Sequence, residues 1–382
     1  MYTFSGNNPA QIYLDALYKI QEEGDNVSPR GMEVKEIRPA SIEYTNPLNR
    51  VVFLEGRKMN PFFLGMESLW IACGRSDVEF LTKYNKGMAA FSDDGEFFNA
   101  PYGQRLRAWN TNSVSGFIFN PIDQLIDVYE KLKKDKDSRQ AVASIYNPLF
   151  DNVTVETLDR PCNLQLVFKI RNDKLTLTVY NRSNDIHYGV FTNLVQFSVL
   201  QELMAVWLGV GVGEYHQVTD SLHNYLNDFG AKETEKIFNA YPEHTTVQEF
   251  TFENEPRMST SFEEFEAMRS VLFGGWFFKD LHHDEAFKQP RVRESLLTVI
   301  KSLPDDYWRN MLYAAYAYRA HKLEIPEEVI VGLDNMADSS WKMSCIHFLY
   351  EKYKDNSLFR ELYADWSEDK VRFIEGKKQR KY

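Results

Sequence analysis

The sequence predicts an α+β fold, because strand and helix patterns are mixed along the chain without the strand–helix–strand alternation of a doubly wound sheet. Residues 9–22 repeat apolar side chains at helical spacing, and residues 164–179 alternate in polarity as a β-hairpin does. Beyond about residue 255, helical patterns dominate. We therefore expect strands and helices together in the first part of the chain and helices alone in the last part.

Composition and charge exclude several classes of protein. Of the 382 residues, 43% are hydrophobic and 14% aromatic, which is enough for a core in one large domain or two smaller ones. The net charge of −11 argues against non-specific binding of a nucleic-acid polymer, while a local basic pocket for a small phosphate stays compatible with it. No segment is apolar over the length that a bilayer requires, and the first residues lack a signal-peptide pattern, so we expect a cytoplasmic protein without a membrane partner.

Three cysteines stand far apart, at Cys73, Cys162 and Cys345. They form neither a disulfide framework nor a closely spaced metal-binding pair, which suits a reducing cytoplasm and predicts no metal site. A lone cysteine is usually a buried, inert thiol. This is the interpretation we favour for Cys73 and Cys345, because both lie in helical patterns.

The first elements follow from local patterns. Pro9 suits the first turn of the helix at 9–22, and the next segment, GDNVSPRGMEV, predicts a loop that carries Arg30. A second helix begins at about residue 61, borders its apolar face with Glu67 and ends at Gly74. Further helices are predicted in a buried segment, NLVQFSVLQELMAVWLGV, and at 305–322, 339–354 and 357–373.

The predicted hairpin carries the first functional signal. Its first strand begins just after Cys162, the turn residues Asn172 and Asp173 join its strands, and Arg182 and Ser183 follow the end of the second strand. The pairing of the strands therefore predicts that Cys162 and Arg182 are neighbours in space. A guanidinium in that position would favour the thiolate, which is the reactive form of cysteine.

Seven motifs occur in a fixed order around this cysteine. Four motifs precede Cys162: SPRG at 28–31, ESLW at 67–70, YGQRLRAW at 102–109 and DSR at 137–139. The fifth motif contains Cys162 and is PCN at 161–163. Two motifs follow it: YNRSNDIHYGVFTN at 180–193 and SLHNY at 221–225. Together they resemble the active-site series of the thymidylate synthases and the related pyrimidine nucleotide hydroxymethylases. The resemblance covers about residues 5–265 and implies a thymidylate synthase-like mixed sheet with packed helices over residues 1–265. We predict a helical C-terminal extension for residues 266–382.

The resemblance implies catalytic roles for four residues. Cys162 matches the nucleophile that adds to C6 of a pyrimidine nucleotide. Glu67 matches a carboxylate that organises proton transfer at the base, and an apolar setting would raise its pKa. Tyr102 matches a tyrosine in the network that removes the C5 proton, and Arg182 matches an arginine that touches both the thiolate and the nucleotide phosphate.

Phosphate and cofactor contacts are implied in the same way. Ser183, Arg30 and Arg139 match phosphate-binding residues. Arg139 would be donated in trans across the two-fold axis of a homodimer, so that a complete pocket requires two chains. Asp185 and Gly189 match positions that hold the pterin of the folate cofactor, 5,10-methylenetetrahydrofolate.

The remaining matches concern the sugar and the base. His223 and Tyr225 match a pair that bonds the sugar hydroxyl. The side-chain amide of Asn193 can donate to O4 and accept from N3–H of uracil, whereas relatives that act on cytosine carry aspartate at this position. The implied substrate is therefore dUMP or a similar pyrimidine nucleotide.

Several positions depart from the synthase pattern. Asn163 replaces a histidine and Gln140 replaces a second phosphate-binding arginine. Met88 and Phe91 stand where synthases carry tryptophans that wall the reacting methylene from water, and Thr192 replaces a phenylalanine. These changes favour hydration of the methylene intermediate to 5-hydroxymethyl-dUMP, a product that suits a phage marking its own DNA. Two alternatives stay open: a thymidylate synthase that makes dTMP, and a degenerate protein that binds nucleotide without turnover.

Overall fold

The computed structural model describes residues 1–109, 121–152 and 156–377. The chain divides into two compact units. The first comprises Met1–Val52 and Glu67–Val247, and the second comprises Phe53–Met66 and Gln248–Tyr382. The domain boundary between residues 265 and 266 stays a prediction, because a compact unit need not coincide with a catalytic domain.

The first unit mixes strands and helices, as the sequence predicts. Its strands are β1 (Tyr2–Gly6), β2 (Asp25–Val27), β3 (Val34–Ile37), β4 (Ala40–Tyr44), β5 (Val142–Ser144), β6 (Asn163–Arg171), β7 (Lys174–Asn181), β8 (Asn184–Asp185), β9 (Gly211–Thr219) and β10 (Leu222–Tyr225). Its helices are α1 (Pro9–Glu23), α2 (Pro61–Ala72, which begins in the second unit), α3 (Val78–Thr82), α4 (Tyr102–Arg107), α5 (Gln124–Lys134), α6 (Pro148–Asp151), α7 (Gly189–Leu208) and α8 (Asp228–Ala240). Short 3₁₀ turns cover Pro29–Gly31 and Lys86–Phe91.

A six-stranded sheet runs through the first unit in the order β1-β4-β9-β7-β6-β5. The β1–β4 and β7–β9 pairs are parallel, and the others are antiparallel. The predicted hairpin is confirmed as β6 and β7. Its turn residues Asn172 and Asp173 have φ values of 52° and 53°, and a two-residue type I′ hairpin turn requires a positive φ at both positions.

The second sheet has four strands, in the order β2-β3-β10-β8. The short strand β8 pairs in parallel with β10, so that His223 lies opposite Asp185. This pairing brings together two motifs that are well separated in the sequence.

Helix α7 is the core helix of the first unit. Its side chains are buried nearly all round, and Gly209, with a φ of 65°, ends it in the left-handed conformation that favours glycine. Among the described residues it is the one helix whose length and apolarity would allow it to cross a membrane, yet 83% of its apolar window is buried inside the protein. That burial is what a core helix shows.

The second unit is helical in the described residues. Its helices are α9 (Phe262–Arg269), α10 (Phe277–His282), α11 (Asp284–Phe287), α12 (Pro290–Lys301), α13 (Asp306–Lys322), α14 (Pro326–Asp334), α15 (Ser340–Tyr353), α16 (Ser357–Glu361) and α17 (Glu368–Ile374), with a π-helical turn at Ser270–Gly274. Helices α13 and α15 confirm the predictions for 305–322 and 339–354.

One helix prediction, for 357–373, is wrong in its continuity. The structure has two short helices there, α16 and α17, with an irregular segment between them. Ser367 adopts an extended backbone (ψ 149°), and Glu368 and Asp369 then occupy the first turn of α17. Acidic side chains stabilise a new helix N-terminus at that point, which the apolar spacing alone does not reveal.

Candidate active site

Cys162 lies at the open end of the β6–β7 hairpin, as predicted. The backbone N–H of Arg182 donates to the carbonyl oxygen of Cys162 at 2.9 Å, which fixes the two chain segments side by side. The guanidinium Nη2 of Arg182 lies 3.7 Å from the Cys162 Sγ, and the Oγ of Ser183 lies 3.6 Å from the same sulfur. The Cys162 thiol is partly exposed, with a cation and a hydroxyl donor beside it. A partly exposed thiol beside such groups is typical of reactive cysteines.

The guanidinium of Arg182 is itself held in place. Its Nε donates to the carbonyl oxygen of Pro161 at 2.9 Å, and its Nη1 lies 3.4 Å from the Ser183 Oγ. Cys73 and Cys345 differ from Cys162, because both are buried, and burial raises the pKa of the Cys345 thiol well above its ordinary value. Both therefore have the environment expected of inert thiols.

Glu67, on α2, is buried, and burial raises the pKa of its carboxyl from 4.5 to about 7. A hydrogen bond with the Gln196 amide opposes this rise. The Glu67 Oε2 and the Gln196 Oε1 have no hydrogen-bond partner among the described residues. Gln196 is a residue that the sequence interpretation missed, although it lies about one turn after Asn193 on a mostly apolar helix.

Tyr102 begins α4, and burial raises the pKa of its phenol above the ordinary value of 10. The charges of Cys162 and Asp159 raise this pKa further, and hydrogen bonds with the backbone of Asn163 and Cys162 oppose the rise. The phenol therefore lies at the backbone of the predicted nucleophile. The aromatic ring of Tyr102 also stacks on Phe197 of α7, with ring centroids 6.2 Å apart.

Asp159 is a second residue that the sequence interpretation missed. Its carboxylate accepts a hydrogen bond from the backbone N–H of Ala100 at 2.7 Å, and burial raises the pKa of its carboxyl. Its position close to Tyr102 depends on the path of the chain before α4. A local sequence pattern carries no signal for that proximity.

His223 and Tyr225 lie together on β10, with their rings edge to face at 5.1 Å. His223 is buried, and its Nδ1 has no hydrogen-bond partner among the described residues. Burial lowers the pKa of its imidazole, and the Asp185 carboxylate opposes this shift. Burial raises the pKa of Tyr225, whose hydroxyl also hydrogen bonds with Arg30. The exposed loop residue Arg30 (φ 54°) thus reaches the same cluster.

Asp185 shapes the entry to α7. Its Oδ1 accepts hydrogen bonds from the backbone N–H groups of His187 and Tyr188, at 2.6 and 2.9 Å. Gly189 follows directly and begins the helix. The side chain of His187 is buried, and its Nδ1 lies 2.5 Å from the Tyr13 hydroxyl, which gives it a structural role in the core.

Asn193 is buried on α7, and its Nδ2 donates to the Oδ1 of Asn184 at 3.1 Å.

Asn163, which replaces the histidine of the synthase pattern, is accommodated inside the protein, because its Nδ2 donates to the Oδ1 of Asn181 across the hairpin at 2.6 Å. Thr192 is half-buried, one residue before Asn193. Phe91, which stands in the second of the two positions where synthases carry a tryptophan, is 51% exposed.

Arg139 is a predicted site residue that the structure leaves away from the residues around Cys162. It is exposed in the connection between α5 and β5, and it makes no hydrogen bond or ion pair with any described residue. Within the described ranges, no group of three or more His, Cys, Asp and Glu side chains could hold a metal ion.

A partly exposed thiol beside a guanidinium, with a tyrosine at the cysteine backbone, is the arrangement that an enzyme with a cysteine nucleophile requires. The chain belongs to the thymidylate synthase family, which it matches over residues 11–268. Membership in this family confirms the predicted fold and the predicted class of enzyme, a transferase of one-carbon groups.

Three phage proteins named deoxyuridylate hydroxymethyltransferase are similar to this chain. The protein from Bacillus phage SP01 is 49% identical over 367 residues, which cover 93% of this chain and 95% of that protein. The protein from Pseudomonas phage M6 is 37% identical over 228 residues, or 59% of this chain and 62% of the relative. The protein from Delftia phage PhiW-14 is 32% identical over 200 residues, or 50% and 52%. Because the first match takes in nearly the whole chain, much of the helical C-terminal segment has a counterpart in the SP01 protein.

Proposed function

We propose that this chain converts dUMP to 5-hydroxymethyl-dUMP, with 5,10-methylenetetrahydrofolate as the source of the carbon unit. The observation that carries the proposal is the contact of the Cys162 Sγ with the Arg182 guanidinium at 3.7 Å. The name of the three phage relatives supports hydroxymethylation as the outcome. The proposed place of action is the cytoplasm of the host cell.

The proposed reaction begins with the Cys162 thiolate. Its sulfur adds to C6 of uracil, and the π electrons of the C5–C6 bond make C5 nucleophilic. The folate supplies a one-carbon unit at the oxidation level of formaldehyde. The Tyr102 phenol keeps its own proton at neutral pH, because its pKa is raised, and it orients the water that removes the C5 proton. Glu67, with its pKa of about 7, exchanges protons at the base near neutral pH. After C5 has gained the new carbon and lost its proton, and water has added to that carbon, the sulfur leaves C6, which restores the C5–C6 double bond and frees the Cys162 thiolate.

Nucleotide binding is assigned to groups around the sulfur. Arg182 and Ser183 lie close enough to Cys162 to bind the phosphate while they hold the thiolate, and Arg30 reaches this cluster through Tyr225. The unpartnered Nδ1 of His223 and the hydroxyl of Tyr225 would bond the sugar. Asn193 would read the uracil edge.

The pterin is assigned to Asp185 and Gly189. Asp185 uses its Oδ1 for two backbone N–H groups, which orients the carboxylate and leaves its Oδ2 for the pterin N–H donors. Gly189 is assigned to the pterin as part of the first turn of α7, directly after the backbone N–H groups that Asp185 binds.

A homodimer with Arg139 donated in trans forms the last part of the proposal. One face of the six-stranded sheet is partly open to solvent. Val142 and Tyr180 on this face are exposed, Val167, Thr178 and Val218 are half-buried, and His216 and Glu43 lie among them. A partly exposed sheet face that mixes apolar and polar side chains is a candidate surface for association with a second copy. Arg139 is exposed and unpaired in the described structure, so its charge is available to a phosphate held by another subunit.

Hydration of the methylene intermediate, in place of its reduction, is assigned to the altered residues at the positions that wall this intermediate from water in synthases. Met88 and Thr192 are both half-buried, and neither supplies the large indole that excludes water.

The proposed function is tested by product analysis after incubation of the protein with dUMP and 5,10-methylenetetrahydrofolate. We expect 5-hydroxymethyl-dUMP together with tetrahydrofolate. Production of dTMP with dihydrofolate would instead identify a thymidylate synthase, and the absence of any product would leave a nucleotide-binding protein.

A further inference from the structure

Three buried side-chain amides form a line that begins at the predicted base-reading residue, Asn193. The Nδ2 of Asn193 donates to the Oδ1 of Asn184 at 3.1 Å, and the Nδ2 of Asn184 donates to the Oε1 of Gln217 at 2.7 Å. The Nε2 of Gln217 donates to the carbonyl oxygen of Val190 at 3.1 Å. Asn193, Asn184 and Gln217, here called the amide line, are 6%, 2% and 0% exposed.

The direction of the amide line follows from its last partner. The carbonyl oxygen of Val190 can only accept a hydrogen bond, so the NH₂ group of Gln217 must face it. The oxygen of Gln217 therefore faces Asn184, and the oxygen of Asn184 faces Asn193. Reversal of one amide would set two oxygens or two NH₂ groups against each other in a buried site, which costs far more than it would in water.

Gly189 leaves the space that the amide line needs. A Cβ atom on Gly189 would lie 2.3 Å from the Oδ1 of Asn184, which is an impossible contact. A side chain at this position would therefore push Asn184 away from Asn193. Since Gly189 does not have a positive φ, close approach to Asn184 accounts for the glycine better than backbone conformation does.

We propose that the amide line selects uracil over cytosine by holding the amide of Asn193 in one orientation, with Asn184 and Gln217 as positioning residues. This inference rests on the proposed function, because it takes Asn193 as the residue that reads the base. In the fixed orientation, the second N–H of Asn193 faces O4 and its Oδ1 faces N3–H of uracil. Cytosine carries an amino group and an unprotonated N3 at these positions, so it needs the reversed amide.

The test measures the dissociation constants of dUMP and dCMP by calorimetry, without turnover, for the wild type and two matched variants. Asn184→Leu and Asn184→Asp are similar in size, and both remove the NH₂ group that faces Gln217. Only the aspartate keeps an acceptor for the Nδ2 of Asn193. We expect Asn184→Leu to lower the preference for dUMP on the order of tenfold, and Asn184→Asp to keep most of it.

Two further variants make the test independent of any single substitution. Gln217→Met removes the partner of Asn184, and Gly189→Ala displaces the Oδ1 of Asn184, so both should lower the same ratio. Asn193→Asp serves as the positive control, with an expected shift towards dCMP. Circular dichroism and thermal unfolding identify the variants that are folded.

The outcomes separate the two proposals. A wild-type protein that does not prefer dUMP would overturn the proposed reading of the base by Asn193. A wild-type preference that persists unchanged in folded Asn184→Leu or Gln217→Met would overturn the role of the amide line and leave the proposed function intact.

Discussion

Glu67 is a carboxylate whose protonation should be visible in the stability of the protein. Burial raises the pKa of its carboxyl from 4.5 to about 7, so the folded protein holds a proton that the unfolded chain releases. The contribution to folding is then most favourable below pH 4.5 and is lost as the pH rises through 7. By linkage, this loss amounts to about 3 kcal/mol.

Glu67→Gln should therefore stabilise the protein at high pH while it abolishes turnover. The neutral amide has the same shape as the protonated carboxyl and does not ionise. We expect the free energy of unfolding of the variant to match the wild type at pH 4 and to exceed it by about 3 kcal/mol at pH 8, measured by urea denaturation. A difference that does not change with pH would show that Glu67 has an ordinary pKa, and its assignment as an acid–base group would lose its support.

Single residues also show the limit of sequence interpretation at the site. The contact of Cys162 with Arg182 could be predicted, because hairpin pairing places the start of one strand beside the end of the other. Asn184 lies beside Asn193 because of a turn, and Gln217 reaches Asn184 from a strand on another sheet. Contacts of that kind depend on tertiary packing, and the sequence pattern of each residue is that of an ordinary strand or loop.

At the scale of secondary structure, α7 organises the first unit. It carries Asn193 and Gln196 towards the site, and further along it Glu202 pairs with Arg50 at 2.6 Å. Both side chains of this pair are nearly inaccessible, at 3% and 4% exposed. Removal of one partner from such a pair takes the ion pair away from a charge that stays buried.

Arg50→Met should destabilise the protein by about 3 to 5 kcal/mol, because Glu202 stays buried without its cation. Lys19→Met is the matched control, since Lys19 makes a solvent-exposed pair with Glu23 and its loss should leave the unfolding midpoint almost unchanged. Thermal and urea unfolding measure both effects. Equal, small changes for the two variants would mean that the buried pair does not hold α7 in place.

The elements themselves were largely predictable where a periodic pattern runs long enough. The hairpin, the helix at 9–22 and helices α7, α13 and α15 follow from apolar spacing and turn residues. The break between α16 and α17 was not predictable in this way, because apolar residues continue across it while the backbone does not. The pairing of β8 with β10 also escapes local patterns, since a two-residue strand has no periodicity to detect.

At the scale of the whole molecule, the residues grouped at the site belong to the first compact unit, and the second unit is helical in its described part. The cluster in one chain contains Cys162, Arg182 and Ser183 but not Arg139. A site completed by a second chain would explain this arrangement.

Mixing two inactive variants tests that arrangement. Arg139→Ala lacks the donated arginine, and Cys162→Ser lacks the nucleophile. After subunit exchange, each heterodimer should contain one complete site, so about a quarter of the wild-type activity should return. Failure to regain activity, when differently tagged subunits show that exchange has occurred, would place Arg139 outside the partner's site.

The central claim is that the Cys162 sulfur attacks the uracil ring. We would incubate the protein with 5-fluoro-dUMP and 5,10-methylenetetrahydrofolate, denature it, and locate any adduct by mass spectrometry of its peptides. The account predicts a covalent complex of protein, nucleotide and folate attached at Cys162 and absent from Cys162→Ser. A protein that binds the nucleotide but forms no such complex, or that forms it at another residue, would contradict the account.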